Sequence, residues 1–210
     1  MVEVELKSKE LTEYVYLTLN KDRSTPLYDD DLEHIKDVTL NAIDFLDEPT
    51  DATIYDLIFF KNLKSCMIVN MTISENEIDL LNKMKSIESI QFTKCNLPKG
   101  KKLNMNASYV IIDECKDFEV DTLSDMSSIN RLRIVDCENI NLSGIEKMSS
   151  IVDLYMQSLN INDINFVTSL SSLEYLNLNG TKVKESTKVL DGLNIKVEHK
   201  DKNYIYDVED

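Results

Sequence analysis

The 210 residues contain no tryptophan, two histidines, four glycines and three prolines. Each scarcity excludes something. No glycine-rich phosphate cradle and no GxSxG nucleophile elbow occurs, and neither His34 nor His199 has a catalytic grouping around it. Acid pairs such as Asp113 and Glu114 are adjacent on a predicted strand, so they point to opposite faces or into a turn rather than converging. The chain therefore reads as non-enzymatic and without a cofactor. The few glycines and prolines leave no flexible linker, and an apolar content of 42% is too high for a disordered chain. No apolar run approaches the length of a membrane span, and the N-terminal MVEVELKSKELTEYV has early acids and no apolar signal core. A cytoplasmic protein is the expectation, with export as the alternative if a signal peptide has been removed.

Basic charge is also scarce. The formal net charge is −15, and it is unevenly spread: residues 1–56 carry 15 acidic and 5 basic side chains, whereas residues 57–197 carry 18 and 16. The near-neutral middle has no basic stripe with which to displace counterions, which excludes nucleic acid as a partner.

What the sequence does have is a repeat. Leu173, Leu176, Leu178 and Val183 in LEYLNLNGTKV recur upstream as Ile35-Val38-Leu40, Leu63-Cys66-Ile68, Ile87-Ile90-Phe92, Ala107-Val110-Ile112, Ile129-Leu132-Ile134 and Ile151-Leu154-Met156. The seven units start 28, 24, 20, 22, 22 and 22 residues apart. A unit of this size has an apolar side that it cannot bury alone, so copies must stack into a continuous core. Through LxxLxLxxTxV at Leu173 and IxxLxMxxLxI at Ile151 the chain resembles the leucine-rich repeat family, specifically its short-repeat bacterial, internalin-like type. The resemblance implies an α/β solenoid with a curved parallel sheet on the concave face, a convex side of loops, 3₁₀ turns and short helices, and an N-terminal helical cap. The expected organisation is one continuous domain: a cap over residues 1–34, an array of about seven units over 35–197 and a closing segment over 198–210.

Within the cap, Leu11, Val15 and Leu19 share one side of a helix, although Val15, Leu17 and Leu19 also alternate as in a strand. Ser24 with Pro26 resembles the cap and first turn of a second helix, with Asp29 to Asp31 near its positive end. Those three aspartates lack the central glycine and alternate ligand spacing of a calcium loop, so they read as a solvated helix start. FLDEPTDATIYDLIFFKN is an insertion on the convex side. ISENEIDLLNKMKS, with Ile78, Leu81 and Met84 at helical spacing, should form a helix of about three turns. Connections such as NINLSGIEKMSS are short enough only for 3₁₀ pieces. Ala107 thins the core locally. LNIKVEHKDKNYIYDV should supply one or two closing strands, with NYIYDVED on an exposed sheet edge.

Three residues past the third anchor, where the family usually has asparagine, stand Ile43, Met71, Cys95, Cys115, Cys137, Leu159 and Thr181. Stacked one repeat apart, parallel side chains lie about 4.8 Å from one another, unsuited to disulfides, and no CxxC pair is present. Buried reduced thiols are expected, with no metal site.

The residues between anchors face outward. One column is Thr39, Met67, Gln91, Ile111, Arg133, Tyr155 and Asn177; the other is Asp37, Ser65, Ser89, Tyr109, Arg131, Asp153 and Tyr175. Two of only three arginines therefore lie among Tyr109, Ile111, Tyr155 and Tyr175. Arginine and tyrosine dominate binding hot spots because they join large contact area to directed hydrogen bonds; alternatively, Arg131 pairs with Asp153 and the tyrosines merely cover the sheet. The leading functional expectation is a protein-interaction scaffold that binds a protein partner at Tyr109, Ile111, Arg131, Arg133, Tyr155 and Tyr175. The other reading is an inhibitor or immunity-type protein that meets a basic partner through its acidic N-terminal cap.

Overall fold

Alternation of apolar and polar residues lets a strand bury one face only. In the computed structural model, which describes residues 1–43, 46–185 and 187–200, the repeat anchors do this seven times in succession, and a closing strand makes a sheet of eight. The chain opens with β1 (Glu3–Val4), which pairs antiparallel with β2 (Leu27–Tyr28). Between them lies α1 (Lys9–Thr18), capped by Ser8, whose hydroxyl accepts from Leu11 N at 3.2 Å. Leu11 and Val15 are buried and Leu17 is exposed, so the helical reading of this stretch holds over the strand.

The second helix starts later than Ser24 suggests. The Ser24 hydroxyl turns back to Asp22 Oδ1 at 2.7 Å, Leu27 is buried in β2, and α2 (Asp29–Leu32) begins only after Tyr28. Tyr28 N donates to the Asp31 carboxylate at 2.8 Å, which fixes that start. A local cap signal at Ser24 lost to the burial of Leu27, directly after Pro26.

The main sheet is parallel throughout and runs in chain order: β3 (Asp37–Asn41), β4 (Ser65–Val69), β5 (Ser89–Thr93), β6 (Tyr109–Asp113), β7 (Arg131–Val135) and β8 (Asp153–Gln157). A two-residue β9 (Asn160–Ile161) leaves the sheet, β10 (Tyr175–Asn177) rejoins it, and β11 (Lys182–Val183) pairs with β9 in a second small ladder. The sheet ends on β12 (Lys196–Glu198), parallel to β10. This is one closing strand of the kind expected; NYIYDVED lies outside the described residues.

Beneath the sheet the core is two-walled. The anchors form one wall, with Ile35, Leu63, Ile87, Ala107, Ile129 and Ile151 at most 1% exposed. The connections form the other: Leu57 from the 3₁₀ segment Ile54–Phe59 and Phe60 just after it, Val120 and Leu123 from Val120–Leu123, Ile145 from Ile145–Lys147 and Val167 from Asn165–Ser169. Beside the small Ala107, Leu103 and Met105 of the same connection are buried as well. One connection holds a true helix, α3 (Glu75–Leu81), started by a capping box in which Ser74 N donates to Glu77 Oε2 at 2.8 Å. It is shorter than the three turns expected, because Lys83 N and Met84 N bond three residues back as the chain turns toward Ile87. Among the described residues no helix is long and apolar enough to cross a membrane.

Strands β4 to β8 are each released by a residue in the left-handed region, Asn70, Lys94, Glu114, Asp136 and Ser158, and Gly180 follows β10 in the same conformation. That turn swings the next side chain, the cysteine-column residue, under the sheet. Lys94 and Glu114 are poor choices for positive φ, at about 1–2 kcal/mol each, so the stack holds them there against their preference.

Candidate interaction face

The register sets the outward columns without ambiguity. Ser89, Tyr109, Arg131, Asp153, Tyr175 and Lys196 follow one another across neighbouring strands, and so do Gln91, Ile111, Arg133, Tyr155, Asn177 and Glu198. All six residues singled out from the sequence therefore share one face, on four strands spanning about 15 Å. Five of them are half-buried by their neighbours, and Arg131 is exposed.

The contacts join them into a chain. Arg131 lies over the Tyr109 ring at 5.6 Å and Arg133 over the Tyr155 ring at 5.5 Å, distances suited to cation–π attraction. The Tyr155 and Tyr175 rings are 5.2 Å apart and tilted by 55°, and Lys196 covers Tyr175 at 5.2 Å. Arg131 also donates from Nε and Nη2 to Asp153 Oδ2, at 2.9 and 2.7 Å. The cross-strand pairing foreseen as the alternative for Arg131 thus forms, alongside the aromatic stack rather than in place of it. Arg133 has only a long bond from Nη2 to Gln157 Oε1, 3.3 Å. Beside it, Asp113 has its carboxyl raised above the ordinary value, by burial first and then by the charges of Glu114 and Asp136.

The earlier strands present smaller, more polar groups at most positions, Asp37, Thr39, Ser65, Ser89 and Gln91, with Met67 and Val69 as exceptions. The patch thus belongs to the fourth to seventh units.

No known protein-family profile matches the chain, and no curated protein matches it in sequence. Solved structures do. An internalin (inlF) from Listeria monocytogenes superposes with a TM-score of 0.59 at 15% identity, over 92% of this chain and 63% of that one. Internalin C2 (inlC2) of the same organism gives 0.55 at 14% identity, over 92% of this chain and 93% of that one. The chain has the internalin-type leucine-rich repeat fold. It spans less than two thirds of the length of the first of these structures, and at such identities the likeness concerns the fold alone.

Within that repeat the cysteine column ties neighbouring units together through their backbones. Cys95, Cys115 and Cys137 donate from sulfur to the carbonyls of Ile68, Phe92 and Ile112 in the preceding units, and Cys95 N donates to Cys115 Sγ at 3.4 Å. Thr181 repeats the arrangement with oxygen, donating to Met156 O at 2.6 Å and accepting from Leu159 N at 3.0 Å. All four cysteines are free and buried; burial pushes the Cys66 and Cys115 thiols up to about 12 and Cys137 up to about 11.

Several acids of residues 1–56 are engaged within the protein, although Asp56 alone among those described is buried. Asp56, 1% exposed, accepts from Lys7 N at 3.0 Å and Ser8 N at 2.8 Å, and Asp51 accepts from Lys9 N at 2.8 Å. Asp29 accepts from Val2 N and pairs with Lys61; Asp31 pairs with Lys21. Asp56 escaped the sequence reading because nothing local marks an acid 48 residues away from the amide it holds.

Proposed function

We propose that the protein is a non-catalytic recognition module that binds a protein partner on the concave face of its repeat array, centred on Tyr109, Ile111, Arg131, Arg133, Tyr155 and Tyr175. The observation that carries this reading is the contiguous aromatic and arginine stack on four neighbouring strands, in an array whose other outward positions are mostly small and polar. Internalin-type neighbours, whose fold exposes the same sheet, support a scaffold role. Aromatic rings and guanidinium groups held in place by one another lose little freedom on docking, which favours them as anchors. Ile111 adds an apolar group at the middle of the patch, where folding alone gains little from it.

The test is the double substitution Ile111→Ser, Tyr155→Ser, compared with the intact protein in partner capture from the native host. Capture should be lost while the unfolding midpoint moves only slightly, because both side chains lie outside the core. Capture at unchanged affinity would reduce the patch to ordinary sheet covering.

A further inference from the structure

Two arginines stand two residues apart on β7 and meet different neighbours. Arg131 is level with Asp153 on β8, which closes the edge of the guanidinium formed by Nε and Nη2. Arg133 is level with Tyr155, whose ring lies under the guanidinium and whose hydroxyl makes no bond to that edge. Its Nη2 holds only the long bond to Gln157, and its Nε is the one buried side-chain nitrogen or oxygen among the described residues without a hydrogen-bond partner. A buried donor left unmade costs stability, and natural folds rarely leave one without a reason. Among the described residues Arg133 forms no ion pair, unlike Arg131, and the Asp113 carboxylate acts on it only from beyond contact.

We propose that Arg133 is the receptor for a single acidic side chain, Asp or Glu, of the protein partner; this rests on the concave-face reading above. A guanidinium carries donors only, so its complement is an acceptor, and a carboxylate matches the Nε/Nη2 edge with two parallel bonds. The Arg131–Asp153 pair, two residues away, shows the same Nε/Nη2 edge engaged by a carboxylate, there with both donors on Oδ2. On arrival the partner's carboxylate displaces the long Gln157 bond, and the guanidinium, released from it, turns its covered Nε edge toward the acceptor that Nε lacks. Ile111 on one side and the Tyr155 ring on the other make walls suited to the methylene stem of such a side chain. A phosphate would have to surrender more hydration against those walls, and a polyanion would meet the repulsion of a chain with net charge −15.

Because the protein has three arginines, its Nε–H groups give three signals in a nitrogen-correlated NMR spectrum, and Arg133→Gln assigns the one of interest. The probe is N-acetyl-glutamate α-methylamide, which carries only a side-chain carboxylate, compared with N-acetylglycine and with sodium chloride at matched ionic strength. The Arg133 signal should shift along a saturating curve with the glutamate probe, while Arg131 moves only as it does with chloride. Tyr155→Asp places a carboxylate opposite Arg133 within the protein itself and should abolish the saturating shift, with the thermal midpoint confirming that this variant is folded. An Arg133 response no larger than that to chloride, or one that survives Tyr155→Asp, overturns the proposal; a larger response to N-acetylglycine overturns the side-chain occupant in favour of a chain terminus. The two readings separate. Capture lost in the serine variant with no Arg133 titration refutes only the acidic receptor, whereas titration with capture intact refutes its use by the partner.

Discussion

Removing one rung of the cysteine column should loosen the array at a predictable place. Cys115 is fully buried; its sulfur donates toward Phe92 O at 3.5 Å and Asp113 O at 3.4 Å and accepts from Cys95 N at 3.4 Å. In Cys115→Ala the Cys95 amide keeps its burial and loses its acceptor, at about 1–3 kcal/mol, the lower end being apt for long bonds to sulfur. Loss of the buried thiol adds about 1 kcal/mol. The total, about 2–3 kcal/mol, corresponds in a chain of this size to a fall in midpoint of roughly 4–12 °C. Cys115→Ser separates the two contributions, since a hydroxyl can donate to Phe92 O and accept from Cys95 N as Thr181 does between Met156 and Leu159. It should be milder than the alanine variant by about 1 kcal/mol. Thermal unfolding measures the totals, and hydrogen exchange at the Cys95 amide reads the rung itself, protected in the serine variant and faster in the alanine one. If serine costs as much as alanine, or if the Cys95 amide exchanges no faster in Cys115→Ala, the column is packing only and the ladder argument is wrong.

Native Cys95, Cys115 and Cys137 should alkylate slowly at neutral pH and fully after unfolding; rapid labelling of all three in the folded protein would place the column at the surface. Because burial raises the thiols from 9.0 to about 12 at Cys66 and Cys115, the folded state favours their neutral form, so their contribution to stability is constant below pH 9 and is lost as pH rises from 9 toward 12, which alkaline denaturation at fixed ionic strength can follow. Gly144 has φ +94°, and a Cβ there would meet Asp121 Cα at 2.7 Å, so Gly144→Ala combines backbone strain with a backbone clash and should cost about 2–4 kcal/mol in denaturant unfolding. Asp56→Ala removes the acceptor of the Lys7 and Ser8 amides and should free the N-terminal cap at a cost of about 3 kcal/mol, visible as early proteolysis between residues 1 and 34; a cap that stays resistant would mean that α1 docks by apolar contacts alone.

The stack was legible in the sequence because its determinants are local. Side chains alternate along a strand and units repeat at nearly constant length, so Leu132 and Ile134 are marked as buried, and Arg131 and Arg133 as outward, by their positions alone. The cap helix, the compressed 3₁₀ connections and the closing strand at Lys196 follow from the same patterning. Partnership across the stack was not legible. Whether Arg131 or Arg133 finds a carboxylate depends on which residue of β8 stands level with it, Asp153 or Tyr155, and on how the intervening rings tilt. The start of α2 was decided by the burial of Leu27 against β1, a contact between segments more than twenty residues apart that overrode the cap signal at Ser24. The left-handed Lys94 and Glu114 likewise oppose their own preferences and are held by the hydrogen bonds of their amides to Asp113 O and Val135 O on the next strands. Local periodicity determines which side chains face out; only the stacked units decide which of those side chains are already satisfied, because every acceptor and donor in question comes from a neighbouring turn of the solenoid.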